Sequence, residues 1–146
     1  MDFNLTRTQN EWQARAQQVV ARLSPDATAA QVVAAAAQAQ LLDAEEDLLA
    51  AAVAVEAFAS QSPAAAVVLA LHTCVLRSLG DHPAIDSLAK GEKVGALALS
   101  ADQHPAGGAR LSGRASWVAP LTDSGVAIVG GSSDGNLVAY AVRLDA

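Results

Sequence analysis

Few residues of this sequence have types and spacing that could do chemistry. Three histidines, His72, His82 and His104, would serve as metal ligands if two of them shared a helix face. One lies in an apolar helical stretch, one precedes a proline in a turn and one falls in a loop, so no pair has ligand spacing and no metal site is expected. Cys74 stands two positions from His72, on a different helix face, which does not make a nucleophile and base pair. It reads as a small buried apolar residue. The carboxylates Asp43, Glu45, Glu46 and Asp47 resemble paired acid and base groups, but the first turn of a helix accounts for them through the positive end of its dipole. Gly125 to Gly131 lacks a phosphate-loop pattern and is followed by turn and strand residues, not by a helix that would offer its N-terminus to an anion. Trp117 remains. It follows a Gly113-Arg114 bend in a short apolar strand and has two readings: an anchor between a small sheet and the helices, or a flat ring against a flat cofactor.

The elements that must position these residues follow from pattern. Thr6 with Gln9, and Thr28 with Gln31, have the form of capping boxes, each opening a helix. Trp12, Ala16, Val19, Val20 and Leu23 recur at helical spacing in the first, and Ser24-Pro25 ends it. The second carries Val32, Val33 and Leu41. A third follows the acidic cluster through Leu48, Leu49, Val53, Val55 and Phe58. Ser62-Pro63 restarts the chain as a fourth, apolar on nearly all sides and therefore expected to be buried, until Gly80 stops it. A short turn of helix is expected after Pro83, ending at Lys90-Gly91. Beyond Glu92 the texture changes to short runs of β-formers, 94–100, 111–118, 125–129 and 137–144, with a hairpin turn at Ser132 to Asn136. The expected fold is α+β, an N-terminal bundle of about four to five helices followed by a small, mostly antiparallel β-sheet unit. The division falls between 1–91 and 92–146.

Composition bounds the function. The 146 residues carry a formal net charge of −6, and 15 carboxylates against 9 Lys plus Arg with no basic stripe exclude wrapping of nucleic acid. One cysteine excludes a disulfide framework and leaves a reducing compartment as the expectation. The polar, acidic start does not read as a secretory signal, and the apolar run from Ala64 to Leu76 is too short to span a bilayer, so a cytoplasmic protein is expected. The 52% hydrophobic content includes 35 alanines, which favour helix but bury little surface, so the core must be closely approached.

The order of parts resembles the N-terminal portion of the acyl-CoA dehydrogenase family. Met1 to Thr6 with Gln9 is similar to that family's usual start. Ala57 to Gly80 resembles its buried helix pair, and Leu88 to Gly95 the stretch leading into its β domain. Ala98-Leu99-Ser100 stands where the family has Leu-Thr before Glu-Pro, and Leu111 to Val118 resembles its Gly-x-Lys-x-Trp-Ile strand. The resemblance implies an FAD site: Ser100 as the hydroxyl near the flavin, Trp117 as the ring against the isoalloxazine, and Val118-Ala119 as backbone beside it. Departures are Ala119 in place of a Thr, Ala101-Asp102 in place of Glu-Pro, and Gly107-Gly108 as an echo of Gly-Ser-Asp. In the family the base that takes the α-proton lies in a C-terminal helical domain, so no catalytic residue is nominated here. The implied function is a truncated acyl-CoA dehydrogenase-like protein needing another chain for FAD-dependent oxidation of an acyl-CoA, whether as a homo-oligomer or with a heteromeric partner. A flavin-dependent monooxygenase on the same scaffold is not separated by these residues. The reading from a different class is a noncatalytic assembly module.

Overall fold

A computed structural model describes residues 4–43, 47–99, 104–106, 110–112, 114–115, 117–120, 122–133 and 136–145. Five helices come first: α1 (Arg7–Val20), α2 (Ala29–Gln38), α3 (Leu48–Ala59), α4 (Pro63–Ser78) and the short α5 (Ile85–Ala89). The strands β1 (Val94–Leu99), β2 (His104–Ala106), β3 (Arg110–Ser112), β4 (Trp117–Ala119), β5 (Ser124–Ser133) and β6 (Asn136–Asp145) follow. The fold class is α+β, as the sequence predicts.

The local signals act where they stand. Thr6 and Thr28 each accept from the backbone N–H three residues on, and Gln9 and Gln31 return the bond to the cap backbone, closing both capping boxes. Ser62 accepts from the Ala65 N–H ahead of Pro63 at the first turn of α4. Asp47 departs from the expectation: the carboxyl caps α3 from outside, its Oδ1 3.0 Å from the Leu49 N–H, and does not sit in the first turn. Its Oδ2 accepts from the Gln9 amide at 3.0 Å, so the starts of α1 and α3 are tied together. The Leu49 N–H first, then the Gln9 amide and the Arg77 charge, hold this carboxyl below the usual aspartate range. Asp47→Ala should therefore lower stability, as lost caps do, read as a downward shift in the chemical-denaturation midpoint at unchanged slope. Glu45 and Glu46 lie outside the described residues.

Phe58, Leu69, Leu76, Val33 and Leu88 fill the centre of the helical core, and alanines 16, 36, 50 and 54 close the helix approaches around them. Leu41, expected inside α2, is buried just beyond its end, where Gln40 adopts φ 56°. Cys74 corrects another expectation: it is exposed on the outer side of α4 together with Val67. Helix α4 thus has a face the bundle does not cover, because α3, α2 and β1 take its other sides.

The larger sheet runs β4-β1-β5-β6. It is mixed: β1 pairs antiparallel with β4 and parallel with β5, and β5 pairs antiparallel with β6 up to Ser133 and Asn136, beside the predicted turn. Strands β2 and β3 form a separate antiparallel pair. The single strand expected over 111–118 is therefore two, with Arg114 and Ala115 in neither. Val126 and Ile128 turn toward the helices, whereas Ala96, Ala98, Ala127 and Val129 form a small apolar cluster with Val142 and Leu144. Among the described residues no helix is long and apolar enough to cross a membrane.

Candidate functional site

Strand β1 joins the helical body to the sheet, and its two ends do different work. At its start Gly95 lies against α4: a Cβ built there would stand 2.8 Å from Val75 Cβ, closer than carbon atoms approach, so glycine is what lets strand and helix touch. At its end the register sets Leu97 opposite Ala119, Ala98 opposite Val118 and Leu99 opposite Trp117.

Residues directly opposite in a ladder share a sheet face, and alternate residues along a strand do too. Trp117 and Ala119 therefore project from the same face as Gly95, the face on which α4 packs. Val118 projects from the other. Four residues separate Gly95 from Leu99, about 13 Å of strand, so Trp117 stands on the helix side of the sheet but past the helical cover. Its exposure is 46% and that of Val118 is 40%. The anchor reading of Trp117 does not hold, because the ring belongs to neither buried cluster. What the strand presents is an aromatic ring on an edge strand, with Ala119 half-buried beside it and Pro120 buried after a cis Ala119–Pro120 bond. An exposed indole beside open strand backbone offers a stacking face and polar main-chain groups to a planar heteroaromatic ligand. These groups fit a flavin ring. Ser100, the remaining candidate, lies outside the described residues.

The histidines take structural places. His82 Nδ1 accepts from the Ala84 N–H at 3.1 Å within its own turn. His72 is fully buried, with Nδ1 2.9 Å from the Gly95 N–H and Nε2 3.2 Å from the Leu88 carbonyl. A backbone N–H can only donate, so Nδ1 is the acceptor, and Nε2 carries the proton and donates to Leu88. Burial pushes this imidazole down to about 4, against a smaller opposing pull from the Leu88 carbonyl. Sequence reading placed His72 in a buried helix and missed this role. Its partners lie 16 and 23 residues away, and the one local hint was the Gly at 95 beginning a strand.

Two open hollows lie elsewhere. One of about 380 Å³ runs between α1 and α2 past Arg15 and Arg22, and a broader one of about 810 Å³ opens beside Asp81 and Asp86. Neither reaches Trp117. Arg15 is already engaged, donating to the carbonyls of Ala39 and Gln40 at 3.3 and 3.2 Å and lying over the Trp12 ring.

No protein-family model matches the sequence, and a search of curated proteins finds no match. Among solved structures the chain is similar to PigA in its apo form, with a TM-score of 0.71 and 20% identity over 98% of this chain and 48% of that one. It is also similar to PigA with FAD and proline, with a TM-score of 0.67 and 20% identity over 98% of this chain and 49% of that one. The chain spans about half the length of these structures. At such identity the likeness is one of fold alone.

Proposed function

We propose that this chain is the helix-and-sheet portion of an acyl-CoA dehydrogenase-like flavoprotein, with a helical region over 1–91, a partial β domain over 92–146, and FAD held at the β1–β4 edge. The observation that carries this reading is the exposure of Trp117 on the helix side of an edge strand, where a buried anchor would have been expected. The fold shared with PigA, one of whose structures is solved with FAD and proline, supports the choice of cofactor. In this reading Trp117 packs against the flavin ring. The backbone of Val118 and Ala119 meets its polar edge, and Ser100 supplies a hydroxyl nearby. Ala119 has no side-chain hydrogen bond to give, so the backbone carries more of the polar contact. Bound FAD would supply an acceptor for hydride from the β-carbon of an acyl-CoA. We nominate no residue among 1–146 as the base for the α-proton.

Purified protein should therefore carry flavin absorbance and release FAD on denaturation. Trp117→Ala should weaken FAD binding about tenfold, the worth of one aromatic stack. Equal flavin content in the variant and the parent would mean that the ring is not a cofactor contact.

A second reading, a noncatalytic assembly module, is favoured by a separate observation. Leu48 and Leu49 at the start of α3 are 65% and 53% exposed, and Val67 on α4 is also exposed. Adjacent exposed leucines are apolar surface that another protein could cover. Light scattering should then report a dimer or larger particle whose mass falls to that of a monomer in Leu48→Lys/Leu49→Lys; a monomeric parent would contradict the module reading.

A further inference from the structure

His72 grips both ends of the segment that carries the chain from helix to sheet. Leu88, whose carbonyl accepts from Nε2, lies in α5, and Gly95, whose N–H donates to Nδ1, is the second residue of β1. The two bonds differ in what else is available. The Leu88 carbonyl also accepts from the Gly91 N–H at 2.9 Å, so it keeps a partner without the imidazole. For the Gly95 N–H, His72 is the partner the structure provides.

The direction of that N–H is informative. In a regular strand alternate N–H groups point to the same side, so the donors of Gly95, Leu97 and Leu99 form one row. Strand β5 pairs along β1 from Val94 to Ala98, and β4 reaches only Leu97 to Leu99 on the other edge. Among the described residues no strand pairs with Gly95 on that second edge, and its N–H goes to His72 Nδ1, which takes the position a strand acceptor would fill. The imidazole thus continues the β4 side of the ladder, in line with Ala119 and Trp117. The near contact of Gly95 with Val75 fixes the depth of the strand, and the His72 bond fixes its rotation about its own axis.

We infer that His72 is a positioning residue for the flavin edge: through the Gly95 N–H it sets the orientation of β1, and with it the placement of Trp117 relative to the helical body. This rests on the flavin reading above for its ligand, but not for its geometry. Loss of the Nδ1 acceptor frees the start of β1 to roll, which displaces a ring four residues further along the strand while leaving α1 to α4 in place.

The two nitrogens can be separated by substitution. In His72→Asn the amide oxygen lies near the Nδ1 position and can accept from Gly95. In His72→Gln the longer amide reaches the Nε2 position and can donate to Leu88. FAD affinity and amide hydrogen exchange are measured on both variants and on the parent, at a temperature where circular dichroism reports the full helix content. The expected result is FAD affinity close to the parent in His72→Asn and about tenfold weaker in His72→Gln. Exchange should likewise be accelerated at 95–99 and 117–119 in His72→Gln alone, with α1 and α3 still protected. A general packing role would instead make the two variants alike, or rank them by stability, and either pattern overturns the inference. If the parent itself takes up no FAD, the flavin reading fails, and the exchange arm still decides whether His72 positions β1 and β4.

Discussion

Gly125→Ala is expected to be among the most damaging single-methyl additions available in this chain. Gly125 stands opposite Val94 in the parallel pairing of β1 and β5. A Cβ built on it falls on the Val94 carbonyl oxygen, and Thr122 Cγ2 closes the remaining space at 3.4 Å. The nearer obstacle cannot yield by a rotamer change, because it is backbone. The strands would have to separate at the point where β1 leaves the helical body. We expect a loss of about 3 kcal/mol, at the upper end of the range for overpacking, which corresponds to a melting temperature lower by about 9 °C for a chain of this size. Gly130, with open space where its Cβ would stand, is the control, and Gly130→Ala should melt within about 2 °C of the parent. A Gly125→Ala protein as stable as the parent would mean that the β1–β5 register differs from the one described.

The second large effect is on pH dependence. His72 is neutral in the folded protein and titrates at about 4, well below the ordinary histidine value of 6.5. Above pH 6.5 both folded and unfolded chains hold it neutral, and its contribution to stability is complete. As pH falls from 6.5 toward 4 the unfolded chain takes up a proton that the folded chain refuses, so stability declines, by about 3 kcal/mol in total. Below about 4 the folded state also binds the proton and this slope ends. Asp47 acts in a lower window: its depressed carboxyl contributes above the ordinary aspartate value of 3.8 and loses that contribution as pH falls below it. Urea unfolding between pH 7 and 4 should show the decline in the parent and a much flatter profile in His72→Asn. A decline of equal size in both would assign it to other groups.

What the sequence made legible was mostly local. Thr6 with Gln9, Thr28 with Gln31, and Ser62-Pro63 each declare a helix start, because a cap and its partner lie within one turn and need no tertiary contact. The antiparallel pairing that ends at Ser133 and Asn136 was legible for the same reason. The parallel pairing of β1 with β5 was not, since it joins residues about thirty apart across the three intervening strands β2, β3 and β4. Cys74 was read as buried because α4 is apolar on nearly every side. Composition could not tell which side the bundle leaves open. Trp117 was read with two possible roles, and it is its register against Leu99 and its exposure that separate an exposed ring on the helix side of the sheet from a core anchor. His72 went unread because its function is to accept from a backbone group, which leaves no trace in side-chain spacing.

The claim on which the functional account rests is that a flavin ring lies against Trp117. The protein has two tryptophans: Trp12 is buried in the helical core, and Trp117 is the exposed one. Titration of the purified chain with FAD, following tryptophan emission beside a Trp117→Phe control, reads that contact directly. A flavin ring against Trp117 gives saturable quenching in the parent and clearly weaker quenching in Trp117→Phe, where energy transfer from the buried Trp12 is what remains. Absence of saturable quenching in the parent, or equal quenching in the two proteins, would contradict it.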